Sequence, residues 1–182
     1  MADNTFGITT QVANRYGLNI ELYDIADTSM TTPLTVIDFA NQCTLDITGD
    51  RVWATGGQDH ANKVAFNNPL NGTLTISTQL STADLLNIIA GGTPGAGTTT
   101  IEFKNSSTTT PKYFIVKADT VWQDADGLTY SESIVCHKAC PQRAYNISYS
   151  GDGDPTSVDV VFDLLQNADN KLVTTTRAAI SA

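Results

Sequence analysis

At 182 residues the chain is long enough for one substantial core and short for two, and no linker-like stretch divides it, so a single domain over 1–182 is expected. Hydrophobic residues make up 41% and charged ones only 16%, leaving Thr, Ser and Asn to supply much of the polarity, which is a composition of strands and turns. The formal charge of -9 argues against a protein that grips nucleic acid through its phosphates, since that work needs clustered Lys and Arg.

The amino end, "MADNTFGITT", has neither a basic start nor an apolar run, so no secretory leader is expected and a cytoplasmic origin is. No segment approaches the length of a membrane helix. Residues 1–16 carry no strong pattern and read as an arm that orders in an assembly. Alternation then predicts strands at 18–24, 34–39 and 43–48, the last two also readable as one long bent strand. Residues 48–63, "TGDRVWATGGQDHANK", read as the longest loop. Val52 and Trp53 give it unusual apolar surface beside Asp50, Arg51 and Asp59. Trp53 either packs this loop on its own domain or faces a partner.

Strands are predicted at 63–67 and 72–79, and the period then changes within "LTISTQLSTADLLNIIAGG", residues 74–92. Leu74 and Ile76 alternate with Thr75 and Ser77, whereas Leu85, Leu86, Ile88 and Ile89 fall at helical spacing. A helix is predicted over 81–90, with Ser81 as its cap, Asp84 in its first turn and Gly91 to end it. "GGTPGAG" (91–97) lacks the Lys of a phosphate loop and reads as a connector. Further strands follow at 99–104, 112–118, 128–136, 143–150 and 157–165. The whole pattern implies a mainly β fold, an antiparallel β-sandwich or barrel flanked by one short helix. Residues 167–182, like the amino end, read as an arm.

No catalytic, cofactor or metal motif survives inspection, so no enzyme is expected. Cys136, His137 and Cys140 lack the second ligand pair that a zinc site needs, the other histidine and cysteine being His60 and Cys43. Adjacent Cys136 and His137 would point to opposite faces of a strand, which suits no nucleophile and base. "DGDPTSVDVVFD" (152–163) places Asp152, Asp154 and Asp163 at calcium-loop positions, but Ser157 replaces the required glycine and the second half is strand-patterned.

The run from 47 to 92, "ITGDRVWATGGQDHANKVAFNNPLNGTLTISTQLSTADLLNIIAGG", resembles the central segment of bacteriophage tail tube proteins, the major tail proteins. In that family a long loop, a strand, a "GTLT"-type strand and a single apolar helix follow in this order. The resemblance implies a β-sandwich or barrel with one helix, six copies closing into a ring whose inner sheets join, and rings stacking into the conduit for the genome. It implies a virion tail assembled in the bacterial host cytoplasm. The implied partners are other copies of the chain, a tape-measure protein inside the tube, baseplate or tail-tip and tail-terminator proteins, and a sheath if the tail contracts. DNA passes through without specific binding, and no cofactor or membrane contact is implied.

By the same resemblance the 48–63 loop reaches the next ring, with Asp50, Arg51, Trp53 and Asp59 as candidate contacts. A conduit lined by carboxylates repels the DNA backbone, whereas Lys and Arg would add affinity and friction. Asp38, Asp46, Asp159 and Asp163 are the candidate lumen-facing acids, the plainer alternative being that they face outside solvent. Leu85, Leu86, Ile88 and Ile89 are expected to bury the helix against the subunit core. The reading from a different class is a monomeric carbohydrate-binding β-sandwich that uses Trp53, Trp122 and the Asp152–Asp154 turn.

Overall fold

Alternating sequence becomes strand over most of the chain. The computed structural model describes residues 12–37, 40–55, 62–79, 83–92, 100–103, 110–148 and 157–180. Among these residues it forms β1 (Val12–Asp24), β2 (Thr35–Ile37), β3 (Ala40–Thr48), β4 (Arg51–Thr55), β5 (Asn62–Asn67), β6 (Asn71–Thr78), α1 (Ala83–Ile89), β7 (Phe114–Asp124), β8 (Thr129–Ser148), β9 (Ser157–Leu164) and β10 (Val173–Ala179). The fold is mainly β, with antiparallel sheets and one short helix.

The main sheet runs β2-β1-β7-β8-β9-β6-β3, with β10 also on β8, while β4 and β5 pair only with each other. The long strand β8 joins two layers. Its first half lies between β7 and β10, and from Cys140 onward its recorded partner is β9. One layer therefore comprises β2, β1, β7, early β8 and β10, and the other late β8, β9, β6 and β3. Ile20, Leu22, Val116, Ala118 and Cys136 from the first share one buried core with Leu74, Ile76, Val158, Val160 and Phe162 from the second. Burying each of the large side chains is worth about 2 kcal/mol.

The seven-residue helix could not persist alone in water. It contacts β8 and β2 and buries Leu85, Ile88 and Ile89, while Leu86 is partly buried against the same core. Gly91 has φ 84, and the helix closes with Gly92 N–H donating to the Asn87 carbonyl and Gly91 N–H to that of Ile88. This left-handed glycine ending is what the sequence predicted. Ser81 lies outside the described residues.

Several expected boundaries need correction. The 48–63 segment is not a loop: Arg51–Thr55 and the strand from Asn62 form a hairpin. Residues 167–182 are not simply an arm, because Val173–Ala179 pairs with Cys136 through Tyr130 of β8. Residues 12–16, expected within an amino-terminal arm, belong to β1, which begins at Val12. The strands expected at 128–136 and 143–150 are one, which runs through Pro141. This proline sits past the last β7 partner, where the β8–β9 register shifts, a place that tolerates a residue without an N–H. Residues 100–103, expected within a strand, carry none.

The last strand is tied down by charge as well as backbone. An Arg177 terminal nitrogen lies 2.8 Å from a Glu132 oxygen, and the guanidinium stacks 5.1 Å from the Trp122 ring. Glu132 is 7% exposed, so losing its partner would leave a carboxylate in a mostly dry place. Arg177→Ala is expected to lower stability by about 2 kcal/mol, less than for a fully buried pair because the arginine retains solvent contact. Thermal unfolding measures this, and an unchanged midpoint would mean that backbone pairing alone holds β10.

Candidate functional site

Two surfaces collect most of the residues that the sequence singled out. The first is the outer face of the β3-β6-β9 layer. Leu74 and Ile76 of β6 point into the core, so Thr73, Thr75 and Ser77 take the opposite face. Register carries this face across the strands. Asp46 of β3 opposes Thr73, which opposes Asp163 of β9, which opposes Cys140 of β8. Thr44 opposes Thr75, and Ser77 opposes Asp159.

Asp46, Asp159 and Asp163 are all exposed on this one face, and the sequence alone could not have brought Asp46 to the other two. Asp46 and Asp163 border the same shallow hollow of about 390 Å³ with Thr48, Asn71 and Thr73. Ser77 Oγ donates to Asp159 at 2.6 Å, and Gln142 Nε2 donates to Asp163 at 2.7 Å. Neutral donors therefore hold two of the acids without cancelling their charge. Asp38 lies outside the described residues.

The second surface is the β4–β5 hairpin, which stands off the main sheet. Its base is closed by Asn68 N–H donating to the Asp50 carbonyl at 2.9 Å and by Arg51 Nε donating to Asn67 Oδ1 at 3.1 Å. Val52 opposes Phe66, and Trp53 opposes Ala65 on the other face. Trp53 is 46% exposed and Phe66 57%, so neither ring is buried in the core. The Arg51 guanidinium lies 5.9 Å from the Trp53 ring. Leu70, beside the hairpin root, is exposed as well. Asp59 lies outside the described residues. Phe66 was missed by sequence reading, although the alternation of "RVWAT" and "KVAFN" on either side of "GGQDHA" is a hairpin signal.

The cysteine and histidine cluster does not converge. Cys136 is buried in the core, and burial pushes its thiol up to about 12. His137 turns to the opposite face, with Nε2 2.7 Å from Thr174 Oγ1. A register shift in the β7–β8 pairing precedes Cys140, which opposes Asp163 on the polar face. Among the described residues no group of three His, Cys, Asp or Glu is placed to hold a metal. Trp53 and Trp122 belong to β4 and β7, Trp53 on the separate hairpin and Trp122 beside Arg177 in the main sheet. Asp152 and Asp154 lie outside the described residues. No protein-family model and no curated protein matches the sequence.

Trp53→Ala is expected to leave the thermal midpoint of the isolated subunit unchanged, because the ring is exposed; a large fall would place it in the core. His137 responds to pH. Burial first, and then the nearby Lys171 ammonium, lower its pKa below the usual 6.5, against a smaller opposing pull from Asp169. The unfolded chain therefore binds this proton more readily, so stability is lost as pH falls through 6.5 toward the lower folded value. His137→Gln is expected to flatten that part of the melting profile, and an unaltered slope would mean that other groups cause it.

Proposed function

We propose that this chain is the repeating subunit of a phage tail tube, closing into rings that stack as a conduit for DNA. The observation that carries this reading is the layer of late β8, β9, β6 and β3. One of its faces is covered by the other layer, and the bare face bears Asp46, Asp159 and Asp163.

Neighbouring strands in this layer are antiparallel, so its two outer strands, β3 and late β8, run in opposite directions. Their outward edges are long: Ala40–Thr48 on one side and the stretch from Cys140 to Ser148 on the other, of matching length. Neither edge has a partner strand among the described residues. A second copy, rotated about an axis roughly along the strands, would bring its late β8 antiparallel to β3 of the first. Repeating that step closes a barrel and removes both edges.

In such a ring the bare acidic face turns inward. Carboxylates repel phosphates over the screening length of about 8 Å at physiological salt, which suffices for a wall that DNA must pass without sticking. The hairpin supplies the other contact. Axial stacking does not close on itself and so propagates, and Trp53, Val52 and Phe66 flanked by Asp50 and Arg51 make an apolar anchor with a charged rim. Asp59 belongs to this contact by the resemblance. Six copies per ring, a tape-measure protein within, the tail-tip and terminator proteins at the ends and a sheath on contractile tails complete the assembly proposed.

Negative-stain microscopy of the concentrated purified protein tests the reading. Hollow rods or rings are expected, and a compact monomer under every salt and nucleating condition would sink it. Within a tail, Asp46→Lys combined with Asp163→Lys is expected to assemble but slow DNA release, most at low ionic strength. Release at the normal rate would put both acids outside the channel.

A further inference from the structure

The two layers do not close evenly. The helix covers the side near β2 and β8, while beneath β3 an open groove of about 470 Å³ separates it from the face of β1, β7 and β8. Leu18, Cys43, Leu45, Ala118, Trp122 and Ile134 supply its apolar walls, while Asn41, Gln42, Thr120 and Glu132 make part of its lining polar. No residue of β6 lines it, so it lies on the open-edge side of β3. An apolar groove continuous with a core is exposed at a cost of about 25 cal/mol per Å² of apolar surface left wet.

Trp122 has a second peculiarity. Its Nε1 is buried without a hydrogen-bond partner, and so is Nε of Arg177, which stacks on the same ring. Two buried donors without acceptors are a standing penalty at one wall of this groove.

We infer that this groove is the seat of a second copy of the chain, whose strand pairs with the β3 edge and lays its core-side side chains over Cys43, Leu18 and Trp122. The inference rests on the tube reading and names what one ring-closing contact buries. It follows from spacing. A strand hydrogen-bonded to β3 lies roughly 4.8 Å from it, so every second side chain of that strand hangs over the space beside β3. That space is the groove. The same chain offers the required strand, since late β8 has the matching length and the opposite direction. The contact is then more than a backbone ladder: it completes a core that each subunit leaves open, which favours closed rings over fibrils of loosely paired edges.

Cys43 is the reporter. In a Cys140→Ser variant it is the remaining partly exposed cysteine, because Cys136 is 1% exposed. Burial raises the Cys43 thiol to about 11, so labelling by N-ethylmaleimide is compared between free subunits and tubes at one alkaline pH. Assembly is expected to slow labelling of Cys43 by about tenfold or more, as for a site that must open before it reacts. Tubes in which Cys43 labels as fast as in the free subunit overturn the inference and leave the tube reading standing. A protein that forms no tubes at all overturns both. Ala40→Trp is the steric counterpart. Ala40 lines the groove and is only partly buried, so a folded variant that still closes rings at the wild-type concentration would also overturn the inference.

Discussion

A strand at the edge of a sheet carries a row of unpaired N–H and C=O groups, and where this fold leaves such rows decides what it can become. In the main sheet the edges open among the described residues are β2, the Val12–Asn19 stretch of β1 that β2 does not reach, β10, β3 and late β8. They are not equivalent. β2 is three residues long, too short to template a partner. β10 lays exposed Thr174, Thr175 and Thr176 along its length, with Arg177 turned back onto Glu132. The β3 and late β8 edges are long, and both bound the layer whose outer face is acidic. A chain kept in solution as a monomer usually blunts such edges; here the two that would close a barrel are both left long.

The origin of this layout is the passage of β8 from one layer to the other. A residue is gained in β8 between Cys136 and Ala139 relative to β7, and this shift turns Ala139 into the core and Cys140 to the polar face. Past that point β7 falls away and β9 takes up the pairing, with a further shift of register between Pro141 and Tyr145. One strand thus holds early residues in the first layer and late residues in the second, and the late half gains an open edge. The turn at 165–172 repeats the step on the neighbouring strand. Leu165 N–H donates to the Lys138 carbonyl, His137 N–H donates to that of Leu172, and the chain re-enters β8 pairing as β10.

How much of this was legible depended on the range of the interaction. The helix was readable to within a residue or two, because Leu85, Ile88, Ile89 and Gly91 signal it through spacing and backbone freedom alone. β10 was missed because "VTTTRAA" has no apolar alternation, its hold on the core being Val173 and the Arg177–Glu132 pair, both set by distant β8. The hairpin was taken for a loop because its glycines outweighed two short alternating runs. Asp159 and Asp163 share a face by simple spacing, but Asp46 joins them only through registers that cross β6. Local sequence can say which way a side chain points, not which strand lies beside it.

The two proposed contacts differ in the physics each needs. Ring closure must be unique in register, since the faces of β3 are fixed by its pairing with β6 and a slip of one residue would set the incoming strand's core-side side chains against the polar face. Backbone pairing along β3 specifies spacing but not register, whereas side chains entering a shaped apolar groove penalise a slip at every position. The axial contact has no such ladder to satisfy. A hairpin that presents Val52 and Phe66 on one face and Trp53 on the other can insert between neighbours and bury both faces at once. In the proposed tube, lateral order would come from an edge and a groove acting together, and axial order from one exposed ribbon. The acidic face takes part in neither contact, which leaves it free to remain hydrated and repulsive.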